Sequence, residues 1–141
     1  MPGFLILIAA NYALSRFSGY DPIGKFNIVN FVIIYPIIEE FIFRGLILSN
    51  LNPYLSSEVL LELLYMPVTL SVVITALLFA VSHLQYYRLS RQSIRYMCFA
   101  FIGGIFFGAM ADMTQSIWLS CLLHIEFNVL AVYFGKKTQR I

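Results

Sequence analysis

Glu39-Glu40-Phe41-Ile42-Phe43-Arg44 stands in the middle of an apolar run, Phe26 to Ser49, long enough to cross a membrane. A crossing helix needs about 20 residues, and each ionisable group near the bilayer centre costs roughly 2.5–3.5 kcal/mol. Glu39, Glu40 and Arg44 would together cost on the order of 8–10 kcal/mol before pairing. A purely structural helix has no reason to carry them. Glu40 and Arg44 are four residues apart, so they share a helix face and can partly neutralise each other. Glu39 lies about 100° round the axis from Glu40 and is left free. Pro36, one turn earlier, removes a backbone donor and frees the carbonyl of Val32, which predicts a kink beside the acids. One acid and one base would suffice for a packing salt bridge. The second acid marks a working site.

Composition says what surrounds that site. Of the 141 residues, 60% are hydrophobic and 11% charged, and the mean hydropathy is +0.83. Soluble domains carry about 25% charged residues, so this is an integral membrane protein surrounded by lipid. A net charge of +2 without a long basic run gives no footprint for nucleic acid. Cys98 and Cys121 fall inside apolar spans and read as small buried hydrophobes, and no C-x-x-C pair suggests a metal or redox site.

The predicted fold is all-α, a polytopic membrane helix bundle with about five transmembrane helices. Residues 1–25 form a short N-terminal membrane helix, Pro2 to Leu14, and a polar link with Gly19 and Asp21-Pro22 as turn formers. Residues 26–135 form the core, and 136–141 a basic tail. Within the core the acidic span ends at Ser49. A loop with Asn50, Asn52-Pro53 and Ser56-Ser57 follows, then an amphipathic piece, Glu58 to Tyr65, suited to the interface. Further spans are expected at about Pro67 to Tyr87, Tyr96 to Ala111 and Ser116 to Gly135.

Basic residues fall in alternate loops: Arg16 and Lys25 in one, Arg88, Arg91 and Arg95 in another, Lys136, Lys137 and Arg140 in the tail. The positive-inside rule then puts the N-terminus outside and the C-terminus in the cytoplasm. Gly104 and Gly108 make a G-x-x-x-G pattern, which lets helices approach closely. It suits internal packing against neighbouring helices first, and a homodimer seam second.

Three further intramembrane polar groups lie on other spans: His83, His124 and Asn128. His124 and Asn128 are four apart and share a face, and Phe79 lies one turn before His83. A carboxylate near an imidazole can hold a water and remove its proton. A second imidazole and a carboxamide can donate to a developing oxyanion. That set fits peptide hydrolysis at the membrane, and it equally fits a divalent metal held by Glu39, Glu40, His83 and His124. There is no H-E-x-x-H, no G-x-S-x-G and no intramembrane aspartate pair, so the zinc-helix, serine and aspartate routes lack parts. Span counting sets Glu39 and His124 at one depth and His83 one or two turns nearer the inner side.

The motifs E-E-x-x-x-R at Glu39 to Arg44, F-x-x-x-H at Phe79 to His83 and H-x-x-x-N at His124 to Asn128 occur in that order, about 40 residues apart. Each alone is weak; three in order, one per span, resemble the CPBP family of CAAX proteases and bacteriocin-processing (Abi) membrane proteins. That family includes the type II CAAX prenyl endopeptidase. The resemblance implies that Glu39 activates the water with help from His83, that His124 and Asn128 form the oxyanion site, and that Glu40 and Arg44 orient and neutralise. It implies a prenylated CAAX-type or other hydrophobic peptide as substrate. Family members are described both as glutamate proteases and as metalloproteases, so a metal stays open. The chain is shorter than such relatives. Glu126 is unusual beside the last motif: a partner for an arginine, a further site acid, or a residue facing a partner subunit.

Two other functions compete with the intramembrane endopeptidase. One is a non-enzymatic bacteriocin self-immunity or scaffold protein of the same fold. The other is a proton-coupled transporter, against which stands the lack of an inverted repeat with broken helices.

Overall fold

The computed structural model describes residues 2–20, 22–55, 58–85 and 88–138. Helix α1, Pro2–Leu14, runs into one 3-10 turn, Ser15–Phe17. The link after it turns at Gly19 and Gly24, with φ of 71° and 89°, a left-handed backbone that glycine adopts without strain. Asp21, the other expected turn former, lies outside the described residues.

Helix α2 is continuous over residues 25–55 but changes pitch along its length. Lys25–Val29 is α-helical, Asn30–Ile34 a wide π turn, Tyr35–Glu40 α-helical, Phe41–Leu48 wide again, and Ser49–Leu55 α-helical. Asn50, Asn52 and Pro53, expected in a loop, thus extend the acidic helix. Ser56 and Ser57 lie outside the described residues.

The stretch after α2 corrects the sequence reading. Val59–Leu63, within the expected amphipathic piece, is strand β1 of an otherwise all-α bundle, paired antiparallel with β2, Met66–Thr69. Leu64 and Tyr65 turn the hairpin with φ of 52° and 64°, the positive pair that matches the twist of a two-residue loop. Met66 and Val68 alternate into the core, a two-residue period no helix would produce. The all-α expectation therefore holds apart from this small hairpin.

Helix α3 covers Leu70–Ser82, starting three residues later than expected because Pro67 and Val68 belong to β2. Thr69 caps it, its hydroxyl accepting from the backbone N–H of Val72 at 3.3 Å. A 3-10 turn, His83–Gln85, ends it, and Tyr86 and Tyr87 lie outside the described residues. Helix α4, Arg91–Thr114, opens with a reciprocal Ser90–Ser93 capping box and stops at Gln115 in a left-handed conformation. Helix α5, Trp118–Thr138, takes in Lys136 and Lys137, where cations complement the helix dipole. The expected tail thus begins inside a helix, and Gln139, Arg140 and Ile141 lie outside the described residues.

Helices α3 and α4 form the tightest pair. A first side-chain carbon on Gly104 would lie 3.1 Å from the Ala76 methyl, and one on Gly108 3.2 Å from Val72. The small residues of α4 are thus filled by α3 of the same chain. Cross-links place like ends together. Arg16 of the turn after α1 lies over the Phe134 ring of α5 at 5.2 Å, and Tyr96 of α4 donates to the Gly19 carbonyl. Asn52 and Asp112 meet at the opposite end. One end of the bundle therefore carries Arg16, Lys25, Arg91, Arg95, Lys136 and Lys137, and the other Glu58, Glu62 and Asp112.

The outer surface stays apolar, with Leu5, Phe41, Leu77 and Leu122 among the exposed side chains. Helices α4 and α5 are long and apolar enough to cross a membrane. Helices α1 and α3, with their end turns, are shorter apolar helices, and α2 carries Lys25, Glu39, Glu40 and Arg44. Among the described residues, α4 and α5 are the two helices that meet both the length and the apolarity requirements for crossing.

Candidate active site

The site is aimed by a fault in the hydrogen bonding of α2. In the wide turn before Pro36, the N–H of Tyr35 reaches back five residues to the carbonyl of Asn30. The carbonyl of Phe31 would ordinarily take that N–H, and its next candidate donor is Pro36, which has none. Asn128 of α5 fills the gap, its Nδ2 donating to the Phe31 carbonyl at 2.8 Å. The carbonyl taken by a side chain is therefore that of Phe31, one residue before the Val32 expected from α-helical counting. The π register accounts for the shift.

One turn on, the two acids part company. The Glu40 side chain is 0% exposed, and its Oε1 accepts from Arg44 Nη1 at 3.0 Å and from His124 Nδ1 at 2.9 Å. Arg44 is held from three sides: by Glu40, by the Gly104 carbonyl at 3.2 Å from Nη2, and by the Phe79 ring 4.6 Å beneath the guanidinium. The close approach of α4 at Gly104 gives Arg44 that carbonyl. Glu39 is 22% exposed, and its Oε2 lies 3.7 Å from His124 Nε2. That distance is too long for a hydrogen bond and short enough for one water to touch both. His124 thus stands between the carboxylates, with Nδ1 turned to the buried one and Nε2 to the open one.

His83 closes α3. Its Nδ1 lies 2.9 Å from the Phe79 carbonyl; a carbonyl only accepts, so the proton sits on Nδ1 and Nε2 is left as an acceptor. The Phe79 ring is a hub, edge-on to His83 at 5.0 Å, to His124 at 5.8 Å and to Phe43 at 5.1 Å. His83 itself makes no ion pair with either glutamate among the described residues.

A cavity of about 510 Å³ gathers Glu39, Phe79, His83, His124 and Asn128 into one lining, and leaves Glu40 and Arg44 behind the wall. It extends to Tyr20 and Tyr96 at the basic end, so it spans the offset in depth that span counting assigns to His83. The four candidate metal ligands do not assemble: among the described residues no three His, Cys, Asp or Glu side chains group closely enough to hold an ion. One oxygen of Glu40 is shared between Arg44 and His124, whereas each histidine is engaged through Nδ1 and keeps Nε2 for a proton or a ligand.

Glu126 has a partner that the sequence reading did not single out. Asn11 of α1 donates from Nδ2 to Glu126 Oε2 at 3.0 Å and to the Leu123 carbonyl at 2.9 Å. The acid ties α1 to α5 rather than pairing with an arginine. A signal was present: Asn11 is an amide in an otherwise apolar helix, on the face of Leu7 and Leu14.

No curated protein and no solved structure matches the chain. Residues 23–130, about three-quarters of it, match the profile of the type II CAAX prenyl endopeptidase Rce1-like family. The match runs from just before α2 through most of α5, so every residue of the three motifs lies within it, whereas α1 does not. On that match the chain belongs to the type II CAAX prenyl endopeptidase Rce1-like family, a family of membrane-embedded proteases.

Proposed function

We propose that this protein is an intramembrane endopeptidase that hydrolyses a prenylated CAAX-type or similarly hydrophobic peptide, with Glu39 as the base that activates water. The observation that carries this reading is the separation of the acids. Glu40 is fully buried and paired, whereas Glu39 opens to the cavity beside His124 Nε2. A water lodged between Glu39 and His124 gives its proton to Glu39, and its oxygen attacks the scissile carbonyl. Glu39 then returns the proton to the leaving amine.

With both ring nitrogens of His124 protonated, Glu39, Glu40, Arg44 and His124 sum to zero charge, which suits a site inside lipid. In that state the Nε2–H faces the cavity. It and the second amide hydrogen of Asn128, whose first is spent on Phe31, are donors for the oxyanion; each such donor contributes on the order of 10²–10³ in rate. His83 Nε2 is a free acceptor that can steer the water. On the same reading all five helices cross or enter the bilayer, with the basic end and the C-terminus in the cytoplasm.

The test is cleavage of a fluorogenic prenylated peptide by the full chain in proteoliposomes. Wild type cleaves; Glu39→Gln does not, while its thermal unfolding midpoint stays within a few degrees. Peptide binding without cleavage by the wild type, unchanged in Glu39→Gln, would instead make this a non-enzymatic immunity or scaffold protein.

A further inference from the structure

Helix α1 lies outside the residues that match the family, yet it and the link after it bring Leu7, Ala10, Asn11, Leu14, Ser18 and Tyr20 to the cavity that holds Glu39. Positions 7, 11, 14 and 18 repeat at three- and four-residue intervals, so one continuous face lines the space. Asn11 spends both hydrogens of its amide on α5, one on the Leu123 carbonyl and one on Glu126. At the next turn the Arg16 guanidinium lies over the Phe134 ring. Helix α1 is therefore a docked wall with a defined stand-off from α5.

The chemistry of the cavity divides the same way. Glu39, His83, His124 and Asn128 come from α2, α3 and α5, whereas the α1 side presents Leu7, Ala10 and Leu14 without a charge, facing an equally apolar α4. A volume of about 510 Å³ falls in the range of pockets that bury a whole small ligand, about 300–1,000 Å³. An uncharged, aromatic-rich space suits a hydrocarbon chain, which needs no hydrogen-bond partner, better than a peptide backbone, which does. Ala10 is the smallest side chain on the α1 face, so there the wall stands furthest back.

We infer that α1 is the specificity wall of this cavity. Ala10 and Leu14 set the length of isoprenoid chain that fits, and Glu126, acting through Asn11, is a positioning residue that sets the distance of α1 from α5. The inference rests on the cavity being the substrate site.

The experiment uses the full chain in nanodiscs and two peptides of identical sequence, one farnesylated and one geranylgeranylated, each with a benzophenone on the lipid. Affinity is read by fluorescence, and the labelled residue by mass spectrometry after irradiation. Wild type is labelled between Leu7 and Leu14. Ala10→Phe lowers the ratio of geranylgeranyl to farnesyl affinity at least tenfold, and Leu14→Ala, which removes bulk from the wall, raises it. Glu126→Leu alters the ratio, and Glu126→Gln, which keeps an oxygen acceptor for Asn11, restores it. Equal weakening of both peptides by Ala10→Phe, or labelling that spares α1, overturns the inference. Binding that depends on chain length without cleavage would sink the catalytic reading alone. Cleavage with a length ratio untouched by all the α1 variants would sink this one alone.

Discussion

The amide of Asn128 donates to the carbonyl of Phe31 at 2.8 Å, which joins α5 to α2 at a turn where the backbone of α2 cannot satisfy itself. Asn128→Ala leaves a carbonyl unpaired inside the bundle, at a cost of about 1–3 kcal/mol. Asn128→Asp sets an acceptor against that acceptor and costs at least as much. Both variants should unfold several degrees below wild type in detergent. A full-strength unfolding midpoint in Asn128→Ala would mean that the Phe31 contact contributes nothing to stability.

The two neighbouring acids should fail in different ways. Glu39→Gln removes activity and spares stability. Glu40→Gln leaves the Arg44 charge buried without its counter-ion, a loss of about 3–5 kcal/mol for a broken buried pair. Replacing both partners, Glu40→Gln with Arg44→Met, should be less destabilising than Glu40→Gln alone. Unfolding midpoints of the two single variants and the double variant, measured beside cleavage, decide it. Equal stability of Glu39→Gln and Glu40→Gln would contradict the assignment.

Gly103 and Gly104 are adjacent in sequence and should differ sharply in tolerance. A side-chain carbon at Gly103 meets the Phe107 ring at 3.7 Å, an ordinary contact, whereas one at Gly104 meets Ala76 at 3.1 Å and Arg44 Nη2 at 3.4 Å. Gly103→Ala should be within about 1 kcal/mol of wild type, allowing for the helix-propensity gain of alanine over glycine. Gly104→Val should cost about 1–3 kcal/mol from overpacking and lower activity as well, because Arg44 holds Glu40. Chemical or thermal unfolding of the two variants side by side tests this.

Phe79 touches both histidines and the guanidinium, so its substitution reads out their shared support. Phe79→Leu keeps apolar bulk but loses the cation–π contact with Arg44, worth about 2 kcal/mol in a desolvated setting. Cleavage should fall at least tenfold with a smaller proportional change in apparent KM, since the lost contacts orient the reacting groups. A rise in KM with kcat unchanged would instead make Phe79 a substrate contact.

Much of the site was legible because a charge in an apolar span is conspicuous and helical spacing is rigid. Glu40 and Arg44 at four residues apart do pair, and His124 and Asn128 at the same spacing do face one cavity. The hairpin was not legible. Val59-Leu60-Leu61-Glu62-Leu63 is a short apolar run whose periodicity does not separate strand from helix, and the decisive alternation lies in Met66 and Val68, which straddle the expected start of a span at Pro67. Asn11 was conspicuous as an amide in an apolar helix, but its pairing with Glu126 was not legible, since a contact across 115 residues leaves no local pattern. The expectation at Val32 missed by one residue because a π turn is a choice among hydrogen-bond registers, settled by the packing of Asn128 rather than by Pro36 alone.

That wide turn has a consequence for how the protein can change over time. Each residue of an α-helix advances the chain by about 100°, and the turn at Asn30–Ile34 fits one more residue into a revolution than α geometry would. It works as a phase shifter, setting the compass bearing of everything downstream on α2. Substitutions there keep Glu39 pointed at the cavity and Glu40 at Arg44. Loss of a single residue between Asn30 and Pro36 would let the turn tighten to α geometry while both carboxylates keep their bearing, whereas loss of a second would swing them together by about 100°. The turn can thus lose one letter without turning the site, and cannot lose two.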